Sequence, residues 1–295
     1  MPTIWRLNIK TDAAFGVDPR RFCIDHQILG IGWPVDVEAG ADWDAYYRAA
    51  EDRYCKQGDK GWWPAINAIK HRMQVNDLCW TRDLSGLYYL GRIKSEWRYE
   101  NTEKNIAADV LNVRDCDWKQ VGLVDAVPGK VINSFIPSRT VQRVDSESIE
   151  IYSAFLYNSL SSDYKYSLNP QEADLLSLIS SEDCEDLLGL FLQEEGYRLI
   201  ASSCKASTAA YEFVMKHRVT GESAVAQVKQ GEIDMDISDY SSMSCKVFLF
   251  TTRGQYIGSP ADNVVCVQAE TIRQFIREHK GLLSDRIKKW LIVSC

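Results

Sequence analysis

Two short runs in the C-terminal half carry the side chains best suited to chemistry, residues 211–218 and 224–231. The first is rich in β-type residues and holds a carboxylate, Glu212, near its start. A turn signal, Thr220-Gly221-Glu222-Ser223, leads into the second, which holds Gln227 and Lys229. Residues two apart on a strand share a face, so Gln227 and Lys229 project the same way, and a hairpin brings Glu212 beside them. An acid, an amide oxygen and an ammonium group at one sheet edge suit metal-assisted phosphodiester hydrolysis. The oxygens bind Mg²⁺ and the ammonium sits near the attacking water or the phosphate. The same residues also make an ordinary cross-strand ion pair on a solvated hairpin, so their surroundings decide between the two.

Those surroundings are ordered. Residues 182–195 read as an amphipathic helix closed by Gly196 and leading into a strand near Ile200. Glu185, Leu188 and Leu192 fall at i, i+3 and i+7, which places Glu185 on the inward stripe. Glu182, Asp186 and Gly189 lie on another stripe. Downstream, residues 246–256 read as a central strand and a turn, residues 263–268 as a further strand, and residues 270–279 as a helix. Asp234 and Asp236 form a second spaced carboxylate pair, in a polar loop that runs into Ser238-Asp239-Tyr240. Lys288, Lys289, Arg286, Arg273 and Arg277 form a basic cluster, either a solvated helix face or a phosphate contact.

Helix, three strands, polar connection, strand, helix, with Gln227-Val228-Lys229 closing the hairpin, resembles the PD-(D/E)XK nucleases in their Mrr-like branch, whose last motif reads Gln-x-Lys. The resemblance implies an αβββαβ fold with a mixed central sheet over residues 171–295. It implies Mg²⁺ or Mn²⁺ held by Glu212, Gln227 and the Val228 carbonyl, and catalytic roles for Glu212, Gln227, Lys229 and Glu185. The chain departs from the family in one respect. The usual first ligand is Asp, often in a Gly-x-Asp context, whereas Glu212 follows Ala209-Ala210-Tyr211. Either the site is built around the longer side chain, or the domain is a degenerate nuclease that binds nucleic acid or a nucleotide without cutting.

The N-terminal half carries a second pattern. Residues 75–93 read as strand, Asp83-Leu84-Ser85-Gly86 turn and strand. A short helix with Trp62 and Trp63 at its entry precedes them. Trp97, a strand around residues 108–118, and Val127-Pro128 follow. Residues 4–9 and 28–33 supply earlier strands. This succession is similar to the PUA-like barrel superfamily in its EVE/YTH-like form, over most of residues 3–144. The resemblance implies a β-barrel with helices and a pocket for one extruded nucleotide, whose base recovers its lost stacking on aromatic faces at roughly 1–3 kcal/mol per base. Trp33, Trp62, Trp63 and Trp97 are the candidate walls. Trp33 leads because Gly30 and Gly32 let a ligand approach the backbone. Asp25 or His26 is a candidate reader of a base edge, and Trp5 and Trp80 are expected in the core.

Length and charge bound the rest. A chain of 295 residues accommodates two domains, here 1–145, a helix and linker over 146–170, and 171–295, in an α+β or α/β arrangement. The net charge of −7 argues against holding nucleic acid by bulk electrostatics. Residues 1–145 balance 20 Lys+Arg against 20 Asp+Glu, while residues 146–295 carry 14 against 21. No apolar run reaches the roughly 20 residues of a membrane span, and the start lacks a signal-peptide pattern. Nine cysteines without a Cys-x-x-Cys pair indicate neither a disulfide framework nor a zinc knuckle, which suits a reducing cytoplasm. The four His lack zinc-hydrolase spacing, and neither a phosphate-binding P-loop nor a Gly-x-Ser-x-Gly elbow is present. Joined, the halves suggest a reader of modified bases tethered to a Mg²⁺-dependent DNA endonuclease, of the kind found in modification-dependent restriction and phage defence. Double-strand cleavage by one site per chain implies a homodimer or higher oligomer.

Overall fold

Hydrophobic alternation, helix caps and turn residues fold this chain into a mixed α+β structure. The computed structural model describes residues 1–9, 12–38, 40–137, 139–162, 165–167, 175–205 and 210–293. The chain divides into two compact units, Met1–Asn169 and Pro170–Cys295.

The first unit is built on a curled, half-barrel sheet of seven strands: β1 (Ile4–Leu7), β2 (Ile28–Ile31), β3 (Leu78–Arg82), β4 (Tyr88–Ile93), β5 (Arg98–Tyr99), β6 (Asn112–Gly122) and β7 (Val141–Arg143). They lie in the order β2-β6-β4-β3-β1-β7, with β5 also on β6. Strand β6 makes the curl. Its first half pairs with β2 and its second with β4, and a register shift at Tyr88/Tyr89 makes the far end of the β4 pairing irregular. The strand expected from residue 108 starts only at Asn112. A helix, Glu103–Ala108, capped by the Thr102 hydroxyl, takes the preceding residues. Trp5 and Trp80 are core residues, 2 % and 0 % exposed. Trp5 donates its indole N–H to Asp77 (2.9 Å).

The helix Glu147–Leu160 belongs to this unit and is not a linker. Ile149, Tyr152, Leu156 and Tyr157 are buried. The Trp80 indole donates to the Ser153 hydroxyl (3.0 Å), and the Tyr152 hydroxyl to the Ala126 carbonyl (3.1 Å). An apolar stripe facing a sheet packs wherever the sheet offers a face, so the helix of the expected helix-and-linker stretch over 146–170 packs within the first unit. Within that stretch, residues 163–164 and the Asn169-Pro170 step lie outside the described residues.

The second unit holds a sheet in the order β14-β12-β10-β9-β8. Its strands are β8 (Tyr197–Leu199), β9 (Phe213–His217), β10 (Ser223–Lys229), β12 (Lys246–Thr251) and β14 (Val264–Val267), with β11 (Met235–Asp236) and β13 (Tyr256–Ile257) paired separately. Strands β8, β9 and β10 form an antiparallel meander, while β12 and β14 run parallel to β10. One face packs on the helix Ser181–Glu194, whose Gly189 approaches Phe213. The helix Ala269–Glu278 lies beside it through Phe275 against Phe191. The other face buries Val225, Val247 and Leu249 under Met235, Tyr240 and Tyr256.

The helix Ser181–Glu194 has strong boundaries. Ser180 and Asp183 form a reciprocal capping box, and Gly196, at φ +94°, lets the chain turn out of the last turn. Asp183 is 2 % exposed, and Arg286 from the helix Asp285–Val293 donates to it and to Asp186. Arg286 is therefore a buried tie between helices and not part of a basic surface cluster. Arg273 and Arg277 are spent on Glu270, and Lys288 lies 3.5 Å from Asp285, so a phosphate contact there has little free charge to use. Among the described residues no helix is long and apolar enough to cross a membrane, and none of the eight described cysteines is in a disulfide.

Removing one partner of a buried ion pair leaves the other charge uncompensated, at about 3–5 kcal/mol. Arg286→Ala is therefore expected to lower the stability of the second unit by that amount in chemical denaturation. A variant melting with the wild-type midpoint would contradict the tie.

Candidate functional site

The carboxyl end of β10 brings together the residues singled out on the hairpin. The antiparallel ladder runs from Ser223 opposite Lys216 to Ala226 opposite Phe213, and the Glu212 N–H donates to the Ala226 carbonyl (2.8 Å). Glu212 thus stands opposite Gln227 on the same face, with Lys229 two residues further along that face. Gln227 donates its side-chain N–H to Glu212 Oε1 at 3.1 Å. A carboxylate only accepts, so the Gln227 carbonyl oxygen is turned away from it. That residue is 2 % exposed, and its Oε1 has no hydrogen-bond partner. Lys229 is half-buried, and among the described residues its ammonium has no direct ion-pair or hydrogen-bond partner. Carbonyls alternate along a strand. Ala226 serves β9 and Lys229 serves Thr252 (3.1 Å) on the β12 side, so the Val228 carbonyl faces the β9 side beyond the end of that ladder.

Glu185 lies within electrostatic reach of this group. Its carboxyl is pushed up to about 8, first by burial and then by the negative charge of Glu212, with Glu182 and Asp186 adding and Lys229 opposing. Glu212, the neighbouring Glu185 carboxyl and a buried amide oxygen without a donor make an oxygen-only set suited to a hard divalent cation. Among the described residues no cluster of three or more His, Cys, Asp or Glu has metal-holding geometry. Any such ion therefore depends on the Gln227 amide and a main-chain carbonyl as well as on Glu212.

Other carboxylates are committed elsewhere. Asp234 accepts from the Gln255 N–H (2.8 Å), and Asp236 caps the turn at Ser238 (2.9 Å), as expected of a polar loop. One neighbour was not foreseen. Tyr240, from the turn after β11, has its hydroxyl pKa raised by burial and by the charges of Asp239 and Glu212, so it stands near the acid. Only its place in a long-range crossover puts it there, and no local spacing signals it.

In the first unit, Trp33 lines a cavity of about 470 Å³ together with Tyr54, Arg53, Asp59 and Asp109. The Trp33 indole N–H donates to Asp59 (2.9 Å), which fixes the ring. Asp59 is held below the usual carboxylate range: burial opposes ionisation, but hydrogen bonds from Trp33, Gly61 and Trp62 outweigh it. Backbone strain gathers here. Trp33 sits at φ +64° and Asp109 at φ +49°, two of the four non-glycine residues with positive φ among the described residues. Such conformations cost on the order of 1–3 kcal/mol each and concentrate at ligand sites. A Cβ on Gly32 would lie 2.5 Å from the Asp109 carboxylate, so any larger residue would have to displace that side chain. Burial raises the Asp109 pKa, while the Asp12 N–H donates to it at 3.0 Å.

The expectation of four aromatic walls narrows. Trp62 is 1 % exposed, packed between Tyr47 and Tyr54, and Trp97 is 8 % exposed with its N–H on Asn112 (3.2 Å). Both are interior residues that offer no face to a ligand here. Trp63 is 41 % exposed but does not line the Trp33 cavity. Asp25 and His26 are engaged locally, by Arg21 (2.9 Å) and the Phe22 carbonyl (2.9 Å). No protein-family model matches this chain, and neither a curated protein nor a solved structure matches it.

The raised Glu185 pKa has a stability consequence with a definite sign. Between the ordinary carboxylate value and about 8, the folded chain holds a proton that the unfolded chain has lost. Stability therefore falls as pH rises through that window and levels off above it. Glu185→Gln is expected to flatten this decline in denaturation midpoints measured from pH 5 to 9. An unchanged pH profile would show that Glu185 is not desolvated beside Glu212.

Proposed function

We propose that the chain is a Mg²⁺-dependent DNA endonuclease of the Mrr-like PD-(D/E)XK type, directed by a PUA-like first unit that accepts an extruded, modified base. The observation that carries this reading is the buried Gln227 Oε1, without a partner, beside Glu212 and on the same face as Lys229. The helix Ser181–Glu194, the β8-β9-β10 meander and the parallel strands β12 and β14 support this reading. Among the described residues only a 3₁₀ turn at Ile237–Asp239, and no α-helix, lies between β10 and β14, where the αβββαβ pattern has one. Oxygens of Glu212, Gln227 and the Val228 carbonyl would hold the ion. When bound, Mg²⁺ polarises the phosphoryl oxygen and acidifies its water.

The protein's own groups do the remaining work. Lys229 supplies an uncommitted ammonium to orient the attacking water or bind a phosphate oxygen while charge builds there. Glu185, poised near neutral pH, can take up or deliver a proton at the reacting oxygens. Gln227, locked by its bond to Glu212, keeps the acid from swinging into solvent. Glu in place of the usual Asp is accommodated because Glu212 lies just before β9 rather than within it.

The first unit supplies selection. A strained, tethered Trp33 over a cavity suits stacking of one base, and a pocket needs less bulk positive charge than a backbone groove. This fits a chain whose net charge is −7.

The test uses plasmids matched except for plain, methylated, hydroxymethylated or glucosylated cytosine, incubated with Mg²⁺ or Mn²⁺. Wild type is expected to cut at least one modified plasmid and to lose activity with chelator. Lys229→Ala is expected to abolish cutting with an unchanged melting curve. Full cleavage by that variant would refute the mechanism. Tight binding of modified DNA without any cutting would favour the non-catalytic alternative.

Trp33→Ala is expected to weaken binding of the modified duplex by the ~1–3 kcal/mol of one base–aromatic stack. Its melting temperature should move far less than for Trp80→Ala, a core truncation worth about 3–5 kcal/mol. Normal binding with a large loss of stability would make Trp33 a packing residue.

A further inference from the structure

A second concavity in the first unit, of about 720 Å³, lies between the 60–72 segment and β7. Lys60, Arg72, Arg139 and Arg143 line it, with Trp5 and Gln142, and no Asp or Glu is among its lining residues. All four cationic residues are exposed. Arg143 pairs with Asp145 at 2.8 Å, whereas Lys60, Arg72 and Arg139 have no carboxylate partner among the described residues. The Arg72 guanidinium lies over the Trp5 ring (5.3 Å), which holds it at the wall.

Positive charge is also crowded behind this wall. Arg6, fully buried on β1, donates to the Arg139 carbonyl and to Gln142 Oε1 (2.8 Å), so its guanidinium backs the β7 segment. Its pKa is lowered to about 10, chiefly by burial, with Arg139 and Arg82 adding repulsion against the opposing Cys79. Cations gathered this way, in a chain that is otherwise acidic, have an electrostatic cost that a bound polyanion would relieve.

The turn at residues 59–61 joins this cleft to the aromatic cavity. Asp59 lines the cavity while Lys60 and Gly61 line the cleft. A Cβ on Gly61 would lie 3.6 Å from the Trp33 ring, so one glycine separates the two spaces.

We propose that the cleft holds the phosphodiester backbone of a nucleic-acid strand, next to a nucleotide whose base enters the Trp33 cavity. This rests on the reading of the first unit as a base reader and adds the surface that grips the strand. Extruding a base rotates one nucleotide about the backbone, so phosphates on either side must be held while the base crosses to its pocket. Arginine forks and a lysine along a carboxylate-free wall suit that task.

The test measures binding of a short fluorescent duplex carrying the preferred modified base by the full chain without divalent metal, between about 50 and 200 mM salt. The double variant Lys60→Glu/Arg139→Glu is expected to lose about tenfold or more in affinity at the lower salt. Its log–log salt slope should shrink by about 2, close to one unit per lost phosphate contact. Trp33→Ala should weaken binding with the slope unchanged, which separates grip from stacking. Because both mutated residues are exposed, the melting curve should stay at the wild-type position. A double variant that binds with wild-type affinity and slope would overturn the cleft while leaving the base-reader and nuclease readings intact. Wild type that binds inorganic pyrophosphate but no duplex would mark a small-anion site and overturn the strand assignment. Wild type that binds neither would overturn this inference together with the base-reader reading.

Discussion

Strand β10 is bonded antiparallel to β9 on one side and parallel to β12 on the other, and the chemistry of the second unit depends on that change of sense. An antiparallel neighbour begins where β10 ends, so Glu212 at the start of β9 meets Gln227 and Lys229 at the finish of β10. A parallel neighbour ends where β10 ends, so Thr251 lies level with Lys229. Parallel pairing also demands a crossover, and residues 230–245 supply it. That crossover starts at Gly231 (φ +96°), whose N–H donates to the Thr252 hydroxyl (2.8 Å), and then lays Met235 and Tyr240 over one face. In open α/β sheets ligands bind in the crevice outside the carboxyl ends of the strands.

Such a site works against stability. A buried amide oxygen without a donor and a carboxyl forced to hold its proton each cost free energy that a purely structural sheet edge would avoid. The helix bearing Glu185 is correspondingly over-determined. It is capped at one end by Ser180 and Asp183, stopped at the other by Gly196, and tied through Asp183 and Asp186 to Arg286. The first unit shows the same division. Strain at Trp33 and Asp109 is held in place by the Asp59 bond and by the close packing of Gly32. In both units the unfavourable groups are clustered and the surrounding structure restrains them.

Local pattern carried much of this architecture. The hairpin placing Glu212 opposite Gln227 follows from strand alternation and the Thr220-Gly221 turn. The Ser181–Glu194 helix and its Gly196 stop follow from periodicity and cap chemistry. What local pattern missed is non-local. Arg286 read as one of several surface cations because its partners lie about a hundred residues away in sequence. Trp62 and Trp97 read as pocket walls because an indole has the same composition in a core as in a cavity. Only packing separates them from Trp33. The 147–160 helix is legible as a helix, but an apolar stripe does not announce which sheet it will cover. Tyr240 reached the Glu212 neighbourhood through a crossover whose path no spacing encodes.

Charge places one further constraint on the proposed function. Residues 146–295 carry the whole excess of negative charge, and Glu212 stands near the desolvated Glu185 at the site proposed to receive a phosphodiester. An isolated second unit would therefore repel its substrate at long range, and screening by salt would only weaken that repulsion. A bound cation reverses the sign locally, and Lys229 adds to it, but both act over a few ångströms. On the proposed reading, attraction would come from the first unit, where Lys60, Arg72, Arg139 and Arg143 line one cleft with no Asp or Glu among its lining residues. A local cluster of this kind would let a protein of net charge −7 hold a polyanion in one place. On the proposed reading it would also restrict cutting to strands that the first unit has gripped.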